Sequence, residues 1–276
     1  MKKLICFLAA LAASILVAFA EPKKIVVLTP AGSEILCAVG AYSQIAARTD
    51  YCDFPKEMNS LPSVGGFDGK TLSLETIVAC EPDFVYGAKG MHDYLLLPLK
   101  KLGITLYLSD ANSIQAVLDE ITYIGRYTGH EKEGKKVSAN ISKTLDNIRA
   151  KLQNVGTVSV YYEVWNSPYM SAGKNSFINE IISTAGGKNI FGALSEEYPM
   201  VSEETIVASK PDVFLIPDME NETLDSINKR NGWQEIPAVK NGRIYFINSD
   251  VCSRPGPRIA EAVLLIAKQL HPEVAI

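Results

Sequence analysis

The sequence predicts an α/β fold of two Rossmann-like α/β lobes joined by a single long helix, with a ligand cleft between the lobes. Three observations carry this expectation. Short apolar runs alternate with helical patterns in two separate stretches, the order that builds a largely parallel sheet flanked by helices. Between the stretches lies a charged segment with one narrow apolar stripe. An eleven-residue segment also occurs twice, once in each stretch.

In the first stretch Lys24 to Leu28 (KIVVL) reads as a buried strand, and Ser33 as the cap of a helix that runs through Val39 and stops at Gly40. Phe84 to Tyr86 is a second strand, Tyr94 to Leu102 a helix and Thr105 to Leu108 a third strand. Ser113 to Tyr127 is a helix with Ile114, Val117, Ile121 and Ile124 on one face. From His130 to Gln153, Val137, Ile141, Leu145, Ile148 and Leu152 recur at helical spacing, so one side faces protein and the rest faces water. Alternation then resumes, with strands at Val158 to Glu163, Val213 to Ile216 and Ile244 to Ile247, and helices at Ser176 to Ala185 and Arg258 to Leu270.

The repeated segment is SLETIVACEPD from Ser73 to Asp83 and SEETIVASKPD from Ser202 to Asp212, displaced by 129 residues. Its physical content is a capped helix, a turn set by Pro-Asp and a strand entering a sheet. Each half holds one copy, which divides the chain into an N-terminal lobe at 21–128, a linking helix at 129–153 and a C-terminal lobe at 154–276.

Residues 1–20 read differently. Lys2 and Lys3, the apolar run from Leu4 to Val17, and Ala18-Phe19-Ala20 before Glu21 make the pattern of a secretory signal peptide cleaved near Ala20. The run falls short of the roughly 20 residues that span a bilayer. Cys6 lies near the start of that run and not at its end, which argues against a lipid anchor and for a free, periplasmic protein. Loss of Lys2 and Lys3 moves the formal charge from -4 to -6, a balance that disfavours nucleic acid and anionic membranes as partners. A monomer is expected. Cys37 and Cys80 sit in apolar helical patterns and read as buried free thiols, whereas Cys52 and Cys252 sit in loops.

Catalytic and metal signals are weak. Gly66 to Thr71 lacks the leading glycine of a phosphate-cradling loop, and Gly129 to Lys136 lacks its terminal hydroxyl. His92, His130 and His271 lie in different segments without metal-ligand spacing and read as surface residues. Neither a nucleophile elbow nor a Cys and His pairing appears. No catalytic residue, metal or cofactor is expected.

Aromatic residues instead gather in loops flanked by Gly, Pro, Asn and Asp: Tyr51 and Phe54, Phe67, Trp165 and Tyr169, and Tyr198. Rigid rings at loop tips near strand-helix junctions suit a large flat ligand. For any one ring, packing against its own lobe is the competing reading. Asp250 and Arg254, in SDVCSRPGPR, are held by a proline- and glycine-rich turn and suit hydrogen bonds to a ligand rim or to each other.

From end to end the mature chain resembles the class III periplasmic binding proteins, which bind cobalamin, siderophores and haem between two lobes joined by one long helix. Its motifs look most like those of the cobalamin-binding members: DYCDFP at Tyr51, Phe67 ahead of the LETI helix, SPYMSAGK at Tyr169, and Tyr198-Pro199 before VSEE. Phe67 and Tyr198 stand where tryptophans occur in the family. The resemblance implies ligand binding by Tyr51, Phe67, Trp165, Tyr169, Tyr198, Asp250 and Arg254. It also implies docking to the two membrane subunits of an ABC importer through Glu75 and Glu204, one in each repeat copy. The expected function is extracytoplasmic capture of cobalamin or a related corrinoid, without catalysis. The alternatives are an iron-siderophore or haem binder of the same class, and an exported enzyme using the thiol of Cys52 or Cys252.

Overall fold

The structure is a computed structural model that describes residues 21–67, 70–218 and 222–276. The signal segment expected at 1–20 lies outside the described residues. The chain begins with β1 (Ile25–Val27), α1 (Pro30–Ala38), β2 (Ile45–Arg48), α2 (Leu74–Ala79), β3 (Phe84–Ala88), α3 (Leu96–Lys101), β4 (Thr105–Ser109) and α4 (Ile114–Tyr127). The strands form a wholly parallel sheet in the order β2-β1-β3-β4. Helix α5 (Glu131–Leu152) follows.

The second half contains β5 (Val158–Asn166), β6 (Tyr169–Ser171), α6 (Phe177–Thr184), β7 (Gly187–Asn189), α7 (Glu203–Ser209), β8 (Val213–Pro217), α8 (Leu224–Asn228), α9 (Pro237–Lys240), β9 (Ile244–Ile247), α10 (Ser249–Ser253) and α11 (Ile259–Leu270). Strand β5 pairs in parallel with β7 and β8, and β8 with β9, so the order of the first sheet recurs. The departure is β6, which folds back antiparallel on the far end of β5. The fold class is therefore the expected one, with two parallel α/β sheets on either side of one long helix.

The repeat is as clear in the backbone as in the letters. Ser73 accepts the Thr76 N–H at 3.1 Å and Ser202 accepts the Thr205 N–H at 3.2 Å, which caps α2 and α7 alike. Both helices are followed by a left-handed residue, Glu81 at φ 48° and Lys210 at φ 46°, the two non-glycine residues with positive φ among the described residues. The aspartates then clasp the first strand of their own lobe. Asp83 accepts the N–H groups of Lys23 and Lys24 at 2.8 and 3.2 Å, and Asp212 accepts the N–H and hydroxyl of Ser159 at 3.2 and 2.6 Å.

One apolar core runs from β1 and β3 through Ile141, Leu145, Ile148 and Leu152 of α5 to β5 and α11. Helix α5 packs against α4 on one side and α11 on the other, so its stripe is shared by both lobes. Each sheet also has a separate core on its other face. No described helix is long and apolar enough to cross a membrane.

Three expectations are corrected. Helix α1 begins at Pro30 and is capped by Thr29, which accepts the Gly32 N–H at 3.1 Å, because proline has no N–H to lose at the first helical position. Ser33 lies inside that helix and donates to the Pro30 carbonyl. His92 and His271 are buried, not on the surface, because backbone groups satisfy their rings. Finally, Cys37 and Cys80 are only half-buried, whereas Cys52 and Cys252, both expected in loops, are fully enclosed, Cys252 within helix α10.

Candidate functional site

Loops at the carboxyl ends of β1, β2, β3 and β4 face a segment that follows β9 in the other lobe. This is where parallel α/β sheets bind ligands, since loops can vary there without disturbing the core. Pro30, Tyr51, Phe67 and Thr71 from the first lobe and Arg254 from the second line a cavity of about 500 Å³. A neighbouring cavity of about 350 Å³ shares Pro30, Phe67 and Arg254, and adds Lys89, Asp110 and Asn112 from one lobe and Glu197 and Ser253 from the other. Both volumes are within the range of small-molecule clefts.

Tyr51 and Phe67 meet edge to face with centroids 5.7 Å apart. Phe67 is braced from behind by His92. The Ala88 N–H donates to His92 Nδ1 at 2.9 Å, which leaves the proton on Nε2 to reach the Phe67 carbonyl at 3.2 Å. Burial holds the His92 ring below the usual histidine range, so it stays neutral.

Arg254 is the centre of a charge network that crosses between the lobes. Its Nη2 pairs with Asp250 at 2.5 Å within α10, while Nη1 reaches Glu34 of α1 and Asp53, each at 3.2 Å. Arg258 adds a fork to Glu34, with Nε to Oε2 at 2.8 Å and Nη2 to Oε1 at 2.5 Å, and lies over the Phe54 ring at 4.2 Å. The Glu34 side chain is only 2% exposed. Asp250 and Arg254 thus pair with each other, as one sequence reading allowed, and Arg254 also joins the lobes. Glu34, Asp53 and Arg258 were missed by sequence reasoning. The signal available was a lone carboxylate inside the apolar helix GSEILCA, which demands a buried cation.

The aromatics of the second lobe divide between two faces of the β5-β6 hairpin. Asn166 pairs with Tyr169 and Trp165 with Met170, and Met170 bridges to Met200, so Trp165, Met170 and Met200 share one face. Trp165 is half exposed and donates its indole N–H to the Ser167 carbonyl at 2.9 Å. Tyr169 lies on the other face, against Trp233 at 5.7 Å and under the Arg230 guanidinium at 5.3 Å, packed on its own lobe. Tyr198 is partly exposed beside Glu197, and burial together with that carboxylate pushes its hydroxyl up to about 12. The structure therefore brings Tyr51, Phe67, Asp250 and Arg254 together and turns Tyr169 inward.

Burial raises the Cys52 thiol, and pushes that of Cys252 up to about 12, so neither supplies a thiolate at neutral pH. Among the described residues no group of His, Cys, Asp and Glu is arranged to hold a metal ion. Glu75 and Glu204 occupy matching exposed positions in the first turns of α2 and α7.

Comparison with known proteins agrees with this architecture. The chain is 25% identical over 273 residues to a vitamin B12-binding protein of Vibrio parahaemolyticus, covering 98% of both chains. It is 31% identical over 261 residues to an ABC transporter substrate-binding lipoprotein, YvrC, of Bacillus subtilis, covering 92% of this chain and 81% of the relative. The crystal structure of the periplasmic vitamin B12 binding protein BtuF of Vibrio cholerae superposes with a TM-score of 0.78 at 25% identity, over 91% of this chain and 97% of that one. The model of the periplasmic binding protein family matches residues 25–251, and the chain belongs to that family.

Proposed function

We propose that this protein is the extracytoplasmic substrate-binding component of an ABC importer, exported by a signal peptide that ends near Ala20, and that its substrate is cobalamin or another corrinoid. The observation that carries the substrate is the edge-to-face pair of rings, Tyr51 and Phe67, lining an inter-lobe cavity beside Arg254. Flat apolar walls with a few polar groups at the rim match a macrocycle fringed by amides. The vitamin B12-binding relatives cover this chain almost completely, which supports the same substrate class. Trp165, Tyr198 and Asp250 act at the rim, Glu75 and Glu204 dock the loaded monomer on the two membrane subunits, and the protein performs no catalysis. Tyr169 contributes by fixing the hairpin that carries Trp165.

A second reading, an iron-siderophore or haem binder, draws on the two arginines beside the cleft, since guanidinium groups recognise carboxylates. Calorimetric titration of the mature protein with cyanocobalamin, cobinamide, haem and a ferric siderophore separates them. Corrinoid binding that weakens by about 1–3 kcal/mol in Phe67→Ala is the expected result. No affinity for either corrinoid overturns the assignment. Glu75→Lys with Glu204→Lys leaves corrinoid affinity intact and abolishes delivery in reconstituted importer vesicles; normal delivery overturns the docking role.

A further inference from the structure

We infer that the inter-lobe cleft selects its ligand by charge sign, admitting uncharged or cationic chelates and rejecting those that carry carboxylates, with Glu34 as the residue that sets this preference. The inference rests on the cleft being the ligand site and sharpens the substrate class proposed above.

Arginines beside a cavity ordinarily invite anions, but here protein carboxylates already hold them. Three carboxylates, Glu34, Asp53 and Asp250, surround the two guanidinium groups of Arg254 and Arg258. Glu34 accepts from both arginines, and the Arg258 fork uses both of its oxygens. The remaining Arg258 contacts are equally inward, to the Asp250 carbonyl at 3.2 Å and over the Phe54 ring. The next cation along the cleft, Lys89, is paired with Asp110 at 2.5 Å. Glu197 lines the same cavity, and the described residues offer it no ion pair. Among the described residues, the charged lining groups together with the ion-pair network of Arg254 comprise three cations, Arg254, Arg258 and Lys89, against five carboxylates, Glu34, Asp53, Asp250, Asp110 and Glu197.

A ligand carboxylate that takes the Arg254 N–H groups now on Glu34, Asp53 or Asp250 must displace one of these carboxylates, and meets their charge wherever else it approaches. Displacing Glu34 from Arg254 takes away one of the two cations that hold a buried charge, which is costly in a site this enclosed. An amide-fringed or cationic ligand faces no such exchange. It meets the outer oxygens of Asp53 and of Asp250, whose side chains are 49% and 46% exposed, as ready acceptors.

Two water-soluble metalloporphyrins of the same ring size but opposite charge, one with four N-methylpyridinium groups and one with four sulfonates, test the inference on the purified mature protein. Fluorescence quenching gives their dissociation constants at low and at 0.5 M salt. The wild-type protein binds the cationic ring at least tenfold more tightly, and salt narrows the ratio. Glu34→Gln narrows it about fivefold, the effect of one charge roughly 8 Å away at a dielectric between those of a protein surface and water. Asp53→Asn, at the half-exposed rim, does the same and covers the case in which the buried variant fails to fold. An equal or reversed ratio in the wild type, a ratio unmoved in the folded variants, or no binding of either ring overturns the inference. Cobalamin titrated alongside distinguishes the two failures. Cobalamin binding with no porphyrin preference overturns charge selection alone, whereas a cation preference without cobalamin binding overturns the corrinoid reading alone.

Discussion

Replacing Arg230 by methionine probes the electrostatics of the second lobe. Glu163 is fully buried, and its oxygens receive Arg230 Nη1 at 2.5 Å and Nη2 at 2.9 Å. The same Nη2 reaches Glu222 at 2.9 Å, and the Tyr161 hydroxyl donates to Glu163 at 3.3 Å. Methionine fills much of the volume of the arginine stem, and the guanidinium it removes also lies over the Tyr169 and Trp233 rings, so the loss is that of the charge and of every group it touches. Removing the partner of a buried ion costs about 3–5 kcal/mol. With an unfolding entropy of about 2.1 cal/mol/K per residue, a mature chain of this size loses roughly 6–10 °C in Tm.

The sign of the pH effect follows from the burial of Glu163, which holds its carboxyl above the usual carboxylate range even with Arg230 present. A raised acid keeps its proton to higher pH in the folded state than in the unfolded chain, and the stability it contributes is lost as pH rises through the folded value. The variant raises that value further. Its deficit relative to wild type is therefore greatest at neutral pH and shrinks as the pH falls toward the ordinary carboxylate range. Differential scanning calorimetry of both proteins from pH 5 to pH 8 measures the deficit. A drop of less than about 1 °C at pH 7.5, or a deficit independent of pH, refutes the reasoning.

Three further outcomes are expected. Gly32→Ala places a methyl into the Tyr86 ring and 2.7 Å from Thr29 Oγ1, and because Tyr86 is fully buried and bonded to Glu120 it cannot retreat; urea denaturation shows a loss of about 1–3 kcal/mol. The lowered His92 means that the unfolded chain binds the proton first on acidification, so stability present above the histidine range falls away below it; this part of the pH–Tm curve flattens in His92→Gln, and an unchanged slope rejects the role given to its ring. Cys52 and Cys252 stay unlabelled by a thiol reagent at pH 8 in the native mature protein and react in guanidinium, as mass spectrometry of the labelled peptides reports; rapid native labelling of either one contradicts its burial.

The parts of the fold legible in the sequence are those whose periodicity is set by a deep core. Strand β8 declares itself as an unbroken buried apolar run, and the stripe of α5 because its buried positions lie at helical spacing. Strands β2 (IAAR) and β7 (GKN) went unread, since short edge strands carry no apolar run and exist because a neighbouring strand offers hydrogen bonds. The site was legible as a set of loop rings, but not in the direction each ring takes. Tyr169 turns inward because the β5-β6 pairing is shifted between Glu163 and Trp165, a register decided by tertiary contact. The Glu34 network was hidden for a related reason: its partners lie 220 and 224 residues away, where local pattern has no reach.

The apolar stripe of helix α5 also governs how the molecule comes apart. Because Ile141, Leu145, Ile148 and Leu152 belong to a core common to both sheets, neither half can melt without stripping the other of its cover. A chain with two separate sheets thus unfolds in one cooperative transition, and severing it at either end of the helix yields fragments that expose this surface and associate rather than fold alone.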